Sequence, residues 1–305
     1  MSAAAPIRSS IAAGVVLISA SYLLFTVHDA VVKLLVADFS VWQIIFVRSV
    51  TIVIGCLVVG GRSLPARALR TPIMLPMAVR SVFLLTAWFS FYTAAKSLQL
   101  AEMTTLYYAS PVVATLLAIP ILKEKVPAQR WAAIILGFVG VFIASNPVGL
   151  TVSLPVGLAL LAAVLWAGGS VLLRKTAMNE PTIVQMTLTN TFFVLMTFAM
   201  AYYNWRPVAL ETGLLLLVVG LIGAGAQATL FEAMRRAPVS VLAPFEYSSL
   251  IWSFLIGYLI WHDFPTSNVA IGALLILLAG LVIVYSERLA ARRYRLGKPD
   301  EAVDG

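Results

Sequence analysis

Among the ionisable side chains inside long apolar stretches of this sequence are Asp29, Lys33, Arg48, Arg80 and Glu246. Charge is costly in hydrocarbon. Groups held there face a cavity or a partner, and they mark proton relays, ion pathways and solute sites. Asp29 and Lys33 are four residues apart with the acid first, so a helix sets them on one face as a pair. Such a pair serves either as an anchor at a helix end or as part of a pathway. Arg48, in the next apolar stretch, is placed to neutralise Asp29. Glu246 shares a helical face with Ser249 and Ser253, just after Pro244. A buried carboxyl there can carry a proton or hold a cation, and Arg80 is its candidate counter-charge. Rings supply the other chemistry: Trp88, Phe91, Tyr107, Trp166, Tyr247 and Trp252, with Ser110 beside them. Aromatic faces stack on flat heterocycles and on cations. The competing reading makes the rings an interfacial belt and has Arg80 snorkelling to lipid phosphate.

The elements that must position these groups are read from composition. Hydrophobic residues make up 61% of the 305 and charged residues 11%, against about 25% charged in a soluble domain. The apolar matter falls into ten runs, at about 11–36, 40–60, 72–95, 98–121, 127–146, 153–174, 181–203, 211–233, 239–261 and 266–286. Each is near the length that spans a bilayer as a helix. Period-two alternation is missing from them, which excludes a β-barrel. The expected fold class is an all-α polytopic membrane protein with ten transmembrane helices. The first run continues past the length of a signal-peptide core and is read as a span.

The chain repeats itself. Phe91–Glu124 matches Leu230–Asp263 at a constant offset: Ala94 with Ala233, Lys96 with Arg235, Tyr108 with Tyr247, Ser110 with Ser249, Glu124 with Asp263. Upstream, FTVHDAVVK answers WAGGSVLLR, and Gln43 answers Gln185. Such self-similarity sets the architecture. It divides the chain into residues 1–147, residues 148–290 and a polar tail, 291–305.

Basic residues report orientation. Arg8, the loop of Arg62, Arg67 and Arg70, then Lys123, Lys125, Arg130, Arg174, Lys175, Arg235, Arg236 and the cluster from Arg288 onward all fall on one side of a ten-span threading. Only Lys33, Lys96 and Arg206 fall on the other. By the positive-inside rule both termini are cytoplasmic. The net charge of +8 is thus a topology signal, and no nucleic-acid partner is expected. Five spans per half turn equivalent loops to opposite sides, and their charges follow. This is an inverted repeat, the build of many secondary transporters, with the site between halves near the midplane.

Other classes lack their signatures. HExxH, GxSxG and a P-loop are missing, so neither intramembrane hydrolysis nor direct ATP drive is expected. The single cysteine, Cys56, permits no disulfide or cysteine metal site within one chain; no metal and no cofactor are expected. Spans 5 and 10, rich in small residues, read as scaffold or as a dimer surface.

The paired segments AKSLQLAEMTTLYYASPVVATLLAIPILKE and AMRRAPVSVLAPFEYSSLIWSFLIGYLIWHD, with GFVGVFIAS and LLAGLVIVYS after them, resemble the EamA type of the drug/metabolite transporter superfamily. The resemblance covers about 11–287. It implies two inverted five-helix repeats around a central cavity, in the bacterial inner membrane. Members carry amino acids, vitamins such as riboflavin, S-adenosylmethionine, nucleotide sugars, metallophores and drugs, in either direction. The second copy departs from the usual Gly-Glu exit with His262-Asp263-Phe264. The ring-rich wall suits flavin-like or adenosyl solutes better than small polar amino acids, with proton or ion coupling through the intramembrane charges.

With Cys56→Ala as background, single cysteines in 147–152 are expected to label from outside the cell. Those in 63–70 are expected to label only after permeabilisation. The opposite pattern overturns the inverted arrangement.

Overall fold

In lipid every backbone N–H and C=O needs a partner inside the protein, and a helix provides one for nearly all of them within its own segment. The computed structural model describes residues 5–122, 128–145, 153–176, 180–236, 242 and 245–295. These form α1 (Ala5–Leu35), α2 (Val41–Gly60), α3 (Leu64–Leu69), α4 (Met74–Ala94), α5 (Leu100–Tyr107), α6 (Ala109–Leu122), α7 (Ala128–Ala144), α8 (Leu154–Thr176), α9 (Thr182–Tyr203), α10 (Leu210–Arg236), α11 (Ser248–Trp261) and α12 (Ser267–Arg295). Seven apolar stretches are long enough to cross a bilayer: Ala12–Leu35, Val41–Gly60, Met74–Ala94, Leu100–Ile121, Leu154–Leu172, Thr182–Tyr203 and Leu210–Leu230. Three shorter ones, Ile134–Ala144, Ser248–Trp261 and Ser267–Val282, fall on the remaining runs. The architecture is all-α and polytopic.

Helix packing follows a two-fold relation between α1–α7 and α8–α12. Helix α1 packs on α10, and its counterpart α8 packs on α4. The contact of α1 with α11 is answered by α8 with α6, and that of α2 with α10 by α9 with α4. Helices α2 and α9 pair directly, as do α7 and α12. The last pair, spans 5 and 10, meets backbone to backbone. A Cβ added to Gly140 would lie 2.8 Å from the Gly272 carbonyl oxygen, and one added to Gly272 would lie 2.5 Å from that of Gly140. The faces left over carry exposed Ile135, Phe138 and Phe142 on α7, and Leu274, Leu278 and Leu281 on α12.

Three features depart from the sequence reading. The basic loop after α2 holds the short helix α3, started by Pro65 and held down by buried Leu64 and Ala68. Helix α12 continues to Arg295, into the segment read as tail. The expected fourth span is broken at Tyr108, between α5 and α6; in the second half a turn falls on its counterpart Tyr247, just before α11. Pro111 accounts for the first break. It has no N–H to offer the Tyr107 carbonyl four residues back, and the Tyr108 N–H tightens onto Thr105 and Thr104. Pro244 lies outside the described residues.

Helix α11 ends with His262 in the left-handed region at φ 54°, a position glycine adopts without strain. Its N–H still reaches the Tyr258 carbonyl at 2.9 Å, and that of Asp263 reaches Gly257 at 3.3 Å.

The close approach of α7 and α12 has a measurable consequence. Gly272→Ala must push apart two carbonyl-bearing turns, and overpacking of this kind costs about 1–3 kcal/mol. Gly55, with open space around its Cα, is the control. Thermal unfolding in detergent is expected to fall for Gly272→Ala and to hold or rise for Gly55→Ala. Equal melting temperatures for all three proteins would show that the two helices do not touch there.

Candidate functional site

A cavity opens between the halves where α1, α4, α5, α8 and the lead-in to α11 converge. Trp88, Phe91, Tyr107, Trp166, Glu246 and Ser249, all expected from the sequence, line it together with Asp29. So do Tyr22, Phe25, Thr26, Thr104, Tyr108 and Leu230. Its rings hold one another edge to face: Phe91 with Tyr107 at 5.9 Å, Tyr107 with Trp166 at 6.0 Å, Trp166 with Trp88 at 6.0 Å. Each such pair contributes about 0.5–1.5 kcal/mol beyond area burial. These rings face inward on one another.

Tyr247 and Ser110 stand behind the wall. Tyr247 stacks on Tyr108, centroids 5.0 Å apart and planes 22° from parallel. It lies so close over Gly280 that a Cβ there would overlap the ring. The Tyr108 hydroxyl donates to the Glu246 carbonyl and sits 2.6 Å from Ser249 Oγ. Thus the tyrosines at the two turns close the contact between halves. Trp252, also expected in the wall, is outside the cavity lining.

The charges pair differently from expectation. Asp29 meets neither Lys33 nor Arg48 directly. Its carboxylate pairs with His28 Nδ1 at 3.0 Å, and Arg48 Nε donates to His28 Nε2 at 3.1 Å. His28 therefore relays between them, a link that its position beside Asp29 hides because neighbouring helical residues point apart. Arg48 and His28 are 1% and 0% exposed. Among the described residues the Arg48 Nη1 and Nη2 atoms find no hydrogen-bond acceptor; the guanidinium lies instead over the Trp88 face, 4.3 Å from its centroid. A desolvated contact of this sort is worth about 2 kcal/mol. Gly223 of α10 leaves the space for this group, since a Cβ there would lie 3.3 Å from Arg48 Nε and from His28 Cδ2. Lys33 turns to the backbone carbonyls of Leu98 and Ala95 and to the Trp261 ring, 5.4 Å away.

Arg80 does not reach Glu246. It donates to the Gly169 carbonyl and to Thr189 Oγ1, on the far side of Trp88. Glu246 has Tyr22, Tyr107 and Tyr108 within electrostatic reach of its carboxylate. Among the described residues no group of three His, Cys, Asp or Glu could hold a metal ion.

The model of the EamA-like transporter family matches this chain twice, over residues 12–146 and 153–285. The chain belongs to that family. An S-adenosylmethionine uptake transporter of Rickettsia prowazekii is 27% identical over 207 residues, 68% of this chain and 69% of its own. A riboflavin transporter of Vibrio cholerae is 31% identical over 198 residues, 62% of this chain and 64% of its own. A crystal structure of another protein shares the fold at TM-score 0.62, with 19% identity, over 93% of this chain and 99% of that one.

For this EamA-like transporter the buried arginine and the indole above it should be energetically coupled. In a cycle of Arg48→Met, Trp88→Leu and the double variant, Trp88→Leu alone should destabilise strongly, because it leaves a buried cation uncovered. The double variant should recover about 2 kcal/mol of that loss, read as melting temperature in detergent. Additive losses would show that the ring does not stabilise the charge.

Proposed function

We propose that this EamA-like transporter is a secondary carrier working by alternating access, and that its solute is a flat aromatic metabolite of the adenosyl or flavin type. The observation that supports this reading is the cavity between halves, walled by Trp88, Trp166, Tyr107 and Phe91 and edged by Asp29 and Glu246. Rings bind flat heterocycles by stacking at about 1–3 kcal/mol per ring, and the two carboxylates attract a cationic group. The solutes of the two relatives, S-adenosylmethionine and riboflavin, each carry a flat heterocycle. The carrier sits in the bacterial inner membrane with both termini cytoplasmic, following the distribution of Lys and Arg. The exposed apolar faces of α7 and α12 meet lipid or a second copy of the chain.

Glu246 is the coupling residue in this reading. It projects into the cavity next to the Tyr108–Ser249 contact that joins the halves, where a change in its charge acts on both solute and seam. Around it stand Tyr22 of α1, Tyr107 and Tyr108 of the broken span, and Asp29 across the cavity. Glu246→Gln keeps the shape and removes the charge. In sealed vesicles with an imposed pH gradient, the variant should lose accumulation of S-adenosylmethionine or riboflavin and keep solute exchange at zero gradient. Accumulation with an unchanged pH dependence would assign coupling elsewhere.

A further inference from the structure

A second cavity lies behind the Trp88–Trp166 pair, and those two indoles belong to both. Its polar wall is formed by Arg80 from α4, Gln185 and Thr189 from α9, and Gln227 from α10. Gln185 and Thr189 are each 6% exposed, so the polar wall of this cavity is buried. Arg80 brings a full positive charge. Its two hydrogen bonds, 3.3 Å to the Gly169 carbonyl and 3.4 Å to Thr189 Oγ1, are longer than the usual 2.7–3.2 Å for N–H···O. Among the described residues no carboxylate forms an ion pair with it.

The donors converge. A guanidinium offers five N–H groups in a planar fork that matches a carboxylate, and two long contacts to neutral oxygens leave most of that capacity unused. Thr189 accepts from Arg80 and keeps its own proton to donate. Among the described residues Gln227 Oε1 is buried without a partner, and the same amide turned over presents N–H to the cavity. One cation with neutral donors matches one negative charge. A phosphate dianion would leave charge uncompensated in a low-dielectric site.

We propose that the second cavity is a carboxylate subsite, in which Arg80, Thr189 and Gln227 hold the acid group of a solute whose flat ring lies against Trp88 and Trp166 in the first cavity. This rests on the ring-binding reading of the first cavity and narrows the solute to ring-bearing monocarboxylates. An adenosyl amino acid uses both cavities. A neutral flavin uses only the first.

The test is equilibrium binding to the full chain in lipid nanodiscs, with two radiolabelled pairs. One pair is S-adenosylmethionine and decarboxylated S-adenosylmethionine; the other is tryptophan and tryptamine. Wild type is expected to prefer the acid in at least one pair by about tenfold or more, since a site built for a polar group rejects the analogue that lacks it. Arg80→Gln should bring that ratio to within about twofold of one, and Arg80→Lys, which keeps the charge but not the fork, should fall between. If the adenosyl pair does not bind while tryptophan outbinds tryptamine in an Arg80-dependent way, the subsite stands and the adenosyl reading of the first cavity falls. If neither acid binds more tightly than its decarboxylated partner, or if Arg80→Gln weakens both members of a pair alike, the subsite falls. Should Arg80→Gln fail to fold, the wild-type ratios and their reduction in Gln227→Leu decide the matter.

Discussion

A charge held in hydrocarbon must be compensated by the protein around it, and the interior of this chain is arranged by that demand. Placing an arginine at the centre of a span costs about 2.5–3.5 kcal/mol on insertion scales. For Arg48 the cost is offset by a charge-assisted hydrogen bond to His28, worth about 1.5–3 kcal/mol, and by the Trp88 face, worth about 2 kcal/mol. Through His28 the cation also reaches Asp29, so the pair of charges is closed within α1, α2 and α4. Lys33 is satisfied by the exposed carbonyls at the end of α4 and by Trp261. Arg80 receives only two long contacts to neutral oxygens. Arg48 is covered by the Trp88 face; at Arg80 the donor capacity left over is what the proposed carboxylate subsite would use.

The halves share a scaffold and divide the chemistry. Related contacts show the division atom by atom. On α1, His28 lies against Gly223 of α10; at the related contact, Gly169 of α8 lies against Leu84 of α4. Large and small residues have changed places. The first contact makes room for an imidazole and a guanidinium, and the second brings a bare backbone carbonyl to Arg80. Likewise Glu246 occupies the place of Tyr107, and Asn190 that of Arg48. A two-fold packing with unlike side chains produces one cavity that is aromatic on one wall and acidic at its edge. Two identical half-sites would have bound a symmetric ligand.

What the sequence made legible follows from what kind of physics each feature obeys. Span number, length and approximate ends depend on apolar runs, and those are local. The rings were legible as aromatic residues of the apolar runs; that Trp88, Phe91, Tyr107 and Trp166 line one cavity comes from the packing. Partner choice was not legible. Arg48 was matched to Asp29 by charge and depth, yet the geometry routes it through His28, since a side chain bonds whatever lies within about 3 Å of its donor. Arg80 was matched to Glu246 on the same grounds and points the other way across Trp88. Tyr247 was counted in the wall because its span is; the turn at that residue rotates it behind Tyr108. The turn at Tyr108 depends on the carbonyl that Pro111 frees, and the sequence marks that proline without marking the turn.

The turns at Tyr108 and Tyr247 also explain how a cavity can lie between two halves that otherwise pack tightly. Glycine contacts such as Gly140 with Gly272 hold α7 and α12 too close for independent movement, so this pair acts as a fixed edge. At the two turns the halves meet through a ring stack and a hydroxyl, Tyr108 on Tyr247 and on Ser249. Ring faces slide at small cost, and one hydrogen bond contributes only about 0.5–1.5 kcal/mol net. Of these two contacts, the stronger is at the edge and the weaker at the site. A solute that binds against Tyr107 and Trp166 can shift a seam held by contacts of its own magnitude, whereas it could not shift a seam held by backbone-to-backbone packing. In the proposed carrier, alternating access would use that difference in strength, and Glu246 beside the Tyr108–Ser249 contact is where a change of charge would act on it.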